Sequence, residues 1–240
     1  MQIDYFSKKN EKGFDRPNED FIFIKENLFI LCDGVSRDRT NGIYETPSKA
    51  RIVSELFANS VYEFSKEKDF DENFLKDAFI YGNQKIKKYN DINYHGNFLP
   101  GTVCVAVILV NNKLFFSYIG DCLGIIKDKE IITFTSCQTL KIREYSSIIN
   151  KDIIRNDICN NISHPLSYGV LDGRIGAVPF IKRGKIDIEN KDFTVILGSD
   201  GIEEIINNLD YKDFDTISAK NLVNRKTSSI DDKSVIIIRS

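Results

Sequence analysis

The sequence has no long apolar run, no dominant charge of either sign and no cysteine pair at metal-binding spacing. Each absence removes a class of function. Its 240 residues carry 33 lysines and arginines against 35 aspartates and glutamates, for a formal net charge of −2. General nucleic-acid binding needs a basic field, which this balance does not supply. No stretch approaches the ~20 apolar residues of a membrane span. Met1-Gln2-Ile3-Asp4-Tyr5 is not a basic region followed by an apolar one, so no signal peptide is read. The five cysteines (Cys32, Cys104, Cys122, Cys137 and Cys159) are odd in number and scattered. That spacing indicates neither a disulfide framework nor a thiolate zinc site. Cys32 and Cys104 lie inside apolar runs and read as core filler. Histidine is nearly missing, with only His95 and His164, and there is no internal repeat or low-complexity tract. A soluble, cytoplasmic monomer is expected, with no nucleic-acid or membrane partner.

What is present is enough for a sizeable core, at 42% hydrophobic and 11% aromatic residues. No linker-like segment divides the chain, so one domain over 1–240 is expected. Leu28-Phe29-Ile30-Leu31-Cys32 is a short apolar run that ends abruptly in Asp33-Gly34. It reads as a buried strand that holds a carboxylate at the edge of the core. The pattern returns as Phe193 to Leu197, followed by Gly198-Ser199-Asp200-Gly201. Phe21 to Lys25 precedes the first of these runs across Glu26-Asn27, which predicts a β-hairpin with Glu19 and Asp20 at the same end as Asp33.

Thr46-Pro47 predicts a helix start, with Ala50, Val53, Phe57, Val61 and Phe64 at helical spacing behind it. Asp71 is expected to cap a second helix that buries Leu75, Ala78, Phe79, Ile86 and Tyr89. Thr102 to Val110 and Lys113 to Ile119 flank Asn111-Asn112, a two-residue hairpin turn. Gly124 to Lys127 and Glu130 to Phe134 flank Asp128-Lys129 in the same way. Residues 137–190 are less legible, apart from a helical segment around Leu140 to Ile149 and loop chemistry around His164 and Gly169 to Gly173. Ile202 to Asn207 and Ile217 to Val223 read as short helices, the latter capped by Asp215 or Thr216, and Lys233 to Arg239 as a terminal strand. Consecutive hairpins with separate helices indicate an α+β fold with antiparallel pairing.

The strand ends present Glu19, Asp33, Asp121, Asp200 and Asp231. Any one Asp-Gly is most simply a turn. Several converging carboxylates would repel each other or demand a cation, and an all-oxygen set suits magnesium or manganese.

Asn18-Glu19-Asp20, Asp33-Gly34, Gly101-Thr102, Gly120-Asp121, Ser199-Asp200-Gly201 and Asp231-Asp232-Lys233-Ser234-Val235 occur in this order from about Arg16 to Arg239. In that order and rough spacing they resemble the protein phosphatase 2C family, the metal-dependent serine/threonine phosphatases, in its bacterial type. The resemblance implies a four-layer α-β-β-α sandwich of two antiparallel sheets flanked by helices. It implies two Mg2+ or Mn2+ ions bridged by Asp33. Glu19 and the Gly34 carbonyl would hold one, with Asp20 acting through water, and Asp200 and Asp231 would hold the other. Asp121 with Asp200 would bind a weaker third ion. The implied reaction is hydrolysis of phosphoserine or phosphothreonine in a protein substrate by a water readied on the ions, with Asp33 and Asp200 central to catalysis.

Two departures stand out. Val35 replaces the histidine that animal members carry after the first Asp-Gly, and Leu123 stands where the family has an arginine after Gly-Asp-Ser. Arg16, three residues before Glu19 where four is usual, lies near the family's phosphate-binding arginine; Arg37 or Arg39 is the alternative. A haloacid dehalogenase-like reading fails because Leu31 or Val35 would replace one of its two aspartates. A catalytically silent, partner-binding domain of the same fold stays open as the second reading.

Overall fold

A computed structural model describes residues 1–9, 16–35, 44–66, 71, 73–94, 96, 98–229 and 231–240. Ten strands form two antiparallel five-stranded sheets. The first sheet runs β2 (Phe21–Lys25), β3 (Leu28–Val35), β4 (Gly101–Val110), β5 (Lys113–Ile119) and β8 (Lys182–Asp187). The second runs β1 (Gln2–Lys8), β10 (Lys233–Arg239), β9 (Thr194–Gly198), β6 (Leu123–Lys127) and β7 (Ile131–Thr133).

Strand alternation sorts the apolar side chains into three buried layers. Phe29 and Leu31 of β3, with Val103, Val105 and Val107 of β4, face inward onto Ile126, Val195, Leu197, Ile236 and Ile238 of the other sheet. Leu28, Ile30, Cys32, Cys104 and Ala106 point the opposite way, onto Val53, Phe57 and Val61 of α1 (Lys49–Ser65) and Leu75, Phe79 and Ile86 of α2 (Phe74–Asn93). Outside the second sheet, Ile125, Ile196, Val235 and Ile237 are covered by three short helices. The four-layer α-β-β-α sandwich is therefore the observed architecture. The parity that places Phe29 and Leu31 between the sheets places Asp33 on the same side.

The predicted hairpins form. Asn111 and Asn112 both take positive φ, at 51° and 58°, as a tight hairpin turn between right-twisted strands requires. β7 starts at Ile131, one residue later than expected. Two boundaries differ more. β3 continues through Asp33 and Gly34 to Val35, because β4 goes on pairing with it as far as Gly101. Helix α1 is capped by Ser48, whose Oγ accepts from Arg51 N at 3.1 Å, and Thr46-Pro47 lies outside it. Asp71 Oδ1 does accept from Phe74 N at 2.8 Å, at the first residue of α2.

Residues 137–190 hold α3 (Leu140–Tyr145) and α4 (Lys151–Ile153), a π turn (Ile154–Ile158), a 3-10 turn (Ile175–Phe180) and β8. A further 3-10 turn (Asp200–Ile202) leads into α5 (Glu203–Asn207), followed by α6 (Asp213–Thr216) and α7 (Ala219–Val223). Ser218 caps α7, in place of Asp215 or Thr216. Asp215 instead pairs with Lys127 at 2.6 Å. Among the described residues, no helix is long and apolar enough to cross a membrane.

Candidate active site

A cleft of about 640 Å³ opens at one end of the inter-sheet layer, and Arg16, Asp33, Gly34, Asp121, Asp200 and Asp231 line it. The four aspartates arrive on four different parts of the fold. Asp33 comes from within β3, Asp121 from the turn between β5 and β6, Asp200 from the end of β9, and Asp231 from the approach to β10. The first sheet therefore supplies Asp33, and the second supplies Asp200 and Asp231.

Backbone contacts hold these pieces in register. Ser54 Oγ donates to Thr102 Oγ1, which in turn lies 3.0 Å from the Asp33 carbonyl oxygen. Glu19 N donates to Asp232 Oδ2 at 2.9 Å, tying the lead-in to β2 to the lead-in to β10. Gly34 lets these strands close up, since a Cβ there would stand 2.8 Å from the Glu19 carbonyl oxygen. At Gly120 the φ of 86° and the nearness of Val103 leave no room for a side chain, so the chain turns sharply into Asp121.

Glu19 and Asp20 are buried behind the cleft. Arg16 Nη2 lies 3.2 Å from Glu19 Oε2, and Arg16 Nη1 lies 4.0 Å from Asp231 Oδ1. Neither Asp20 oxygen has a hydrogen-bond partner, nor has Asp200 Oδ1. Ser199 and Ser234 stand beside Asp20 and oppose its upward shift, while their hydroxyls donate to the Asp232 carbonyl and to Ser7. Burial comes first in shifting these acids. It pushes the Asp33 carboxyl well above the usual range, reinforced by Asp20, Asp200, Asp121 and Asp231. Burial and Asp232 raise Asp20 to about 7. Burial, Asp121 and Asp231 raise Asp200 to about 8, against the opposing pull of Arg143. Burial also raises Glu19, with Arg16 opposing.

As the side chains stand, no group of three or more His, Cys, Asp or Glu among the described residues is close enough to hold a metal ion. Two arginines pair with these acids: Arg16 with Glu19, and Arg143 with Asp121 and Asp200. Arg37 and Arg39 lie outside the described residues, as does His95. His164 lines a separate hollow beside Leu140 and Lys141.

Two participants were missed by sequence reasoning. Arg143, in the poorly legible region, pairs with Asp121, Asp200 and Glu203, and nothing in its local sequence marks it. Asp232 anchors the Glu19 backbone; its place beside Asp231 was the available signal. The thiol of Cys122, next to Asp121, is buried and free, and burial with Asp33 and Asp121 pushes it well up.

Solved structures of this shape are known. The catalytic domain of the serine/threonine protein phosphatase PstP, in complex with two manganese ions, matches with a TM-score of 0.65 at 17% identity, over 98% of this chain and 96% of that one. The chain has the PPM phosphatase fold. The PPM Ser-Thr phosphatase MsPP from Mycobacterium smegmatis, in complex with cacodylate, matches with a TM-score of 0.64 at 14% identity, over 99% and 97% of the two chains. PppA, a key regulatory component of T6SS in Pseudomonas aeruginosa, also has this fold, with a TM-score of 0.66 at 10% identity over 100% and 97%. No protein-family model and no curated protein matches the sequence. At these identities the likeness to PPM phosphatases is one of fold, in agreement with the resemblance read from the motifs.

Proposed function

We propose that the chain is a metal-dependent phosphoprotein phosphatase that hydrolyses phosphoserine and phosphothreonine. The observation carrying this reading is the meeting of acids from both sheets in one cleft, with Asp20 and one Asp200 oxygen buried and unpartnered. Buried carboxylates without partners are costly, and a hard divalent cation is the counterpart that an all-oxygen set favours. The donor set thus fits Mg2+ or Mn2+. Glu19, Asp20, Asp33, Asp121, Asp200 and Asp231 would hold the ions with the Gly34 carbonyl, two as the main pair and a weaker third. When bound, such ions neutralise phosphoryl charge and acidify a water for attack on phosphorus.

The protein's own residues supply position and charge. Arg16, at the cleft wall, presents a planar donor fork suited to phosphoryl oxygens. Its ion pair with Glu19 keeps that fork aimed from the first sheet. Val35 lines the cleft at the position where animal members of the resembled family carry a histidine. None of the described lining residues is a histidine.

A second reading has an observation of its own: Arg143 already neutralises Asp121 and Asp200, as it would in a catalytically silent domain that binds a protein partner. Hydrolysis of p-nitrophenyl phosphate separates the two. Turnover is expected with Mn2+, and it should fall by at least ~100-fold with chelator or in Asp200→Asn. Equal rates in treated and untreated protein would refute the metal-dependent mechanism, and no turnover under any condition would favour the silent domain.

A further inference from the structure

Arg143 projects from α3, a six-residue helix whose one buried side chain is Ile142. Its guanidinium spans three carboxylates from three parts of the fold. Nη2 lies 3.0 Å from Asp121 Oδ2 and 3.4 Å from Asp200 Oδ2, and Nη1 lies 2.9 Å from Glu203 Oε2. Thr139 Oγ1, one residue before α3, donates to the same Asp121 oxygen at 2.8 Å. One guanidinium thus faces three carboxyl groups, and the arginine side chain is 38% exposed.

The oxygens that Arg143 engages are ones a divalent cation in the cleft would need. A guanidinium seated on Asp121 Oδ2 and Asp200 Oδ2 places a positive charge where it repels a cation approaching the same two carboxylates, so the two compete for them. We propose that Arg143 is a tethered counter-ion that competes with a divalent cation for Asp121 and Asp200, so that its withdrawal opens a cation position and its return closes it. This rests on the divalent-ion centre proposed above. The exchange is not gated by protonation of the arginine, since a guanidinium keeps its charge at any relevant pH. It is governed by cation concentration instead. A short helix with a single buried residue is cheaper to displace than the turns that carry Asp121 and Asp200, which are anchored by the buried strands β5, β6 and β9.

The test counts Mn2+ bound per chain at equilibrium, from the electron paramagnetic resonance signal of free Mn2+. Wild type, Arg143→Gln, Arg143→Lys and the double variant Arg143→Gln/Asp121→Asn are compared, with circular dichroism confirming the fold of each. Arg143→Gln is expected to bind one more Mn2+ per chain, or to bind its weakest Mn2+ about tenfold more tightly. The gain should vanish in the double variant. Arg143→Lys keeps the charge without the planar fork and should fall between wild type and Arg143→Gln; it serves as the informative variant if Arg143→Gln does not fold. Equal, non-zero stoichiometry and affinity in wild type and both single variants would overturn the competition while leaving the metal centre intact. No Mn2+ binding in any variant would overturn both.

Discussion

Asp20 stands one residue before β2 with both carboxyl oxygens buried and unpartnered, and its proton affinity is raised to about 7. Asp200 reaches about 8, and Asp33 is also raised. An aspartate in the unfolded chain releases its proton near pH ~3.9. Between that point and about pH 8 the metal-free native state therefore holds more protons than the unfolded chain. Its stability is fully present at the acidic end of this window and is lost as pH rises through the native values. In EDTA, the melting temperature is expected to drop by at least ~3 °C from about pH 5.5 to about pH 8.5. Added Mn2+ should raise it more at the alkaline end, where the acids are charged. A melting temperature in EDTA that climbs over the same interval would contradict the placement of these acids.

At the scale of elements, the lead-in to β10 depends on a neighbour in α5. Glu204 Oε2 accepts from Ser228 N at 2.9 Å, Ser228 Oγ at 2.7 Å and Thr227 Oγ1 at 2.7 Å, and these bonds hold its carboxyl below the usual range. That clamp fixes the stretch preceding Asp231. Glu204→Ala is expected to weaken Mn2+ affinity about tenfold while leaving the melting temperature nearly unchanged, as calorimetric titration beside thermal melting would show. Gly120→Ala should do the reverse in kind. It imposes a side chain on positive φ against Val103 and is expected to cost on the order of 2 kcal/mol, read from urea unfolding.

Elements were legible from sequence where their signal is local. The hairpins β2–β3 and β4–β5 carry their own turn residues, and α1 and α2 their own apolar stripes. β1 and β8 are edge strands with mostly exposed or half-exposed side chains, recognisable only through partners far along the chain. Asp33 was expected just past a strand end because Gly34 looks like a stop. Pairing with β4 carries the strand onward, and no local pattern encodes that. The acids of the candidate site could be found as residues following apolar runs. Arg143 could not, because its meaning comes from carboxylates at 121, 200 and 203.

For the whole molecule, the decisive feature is that the cleft lies where the two sheets face each other. Glu19, Asp20 and Asp33 travel with one sheet, and Asp200 and Asp231 with the other. Leu31 lies between the sheets, two residues before Asp33 on the same face of β3. The apolar filling beneath the cleft therefore acts as a spacer whose thickness calibrates the distance between opposing acids. Leu31→Ala, which removes no donor atom, is expected to cost about 2–5 kcal/mol of stability and also to loosen Mn2+ binding, measured by calorimetry well below its melting point. An unchanged affinity would mean that the acids keep their separation independently of what is packed below them.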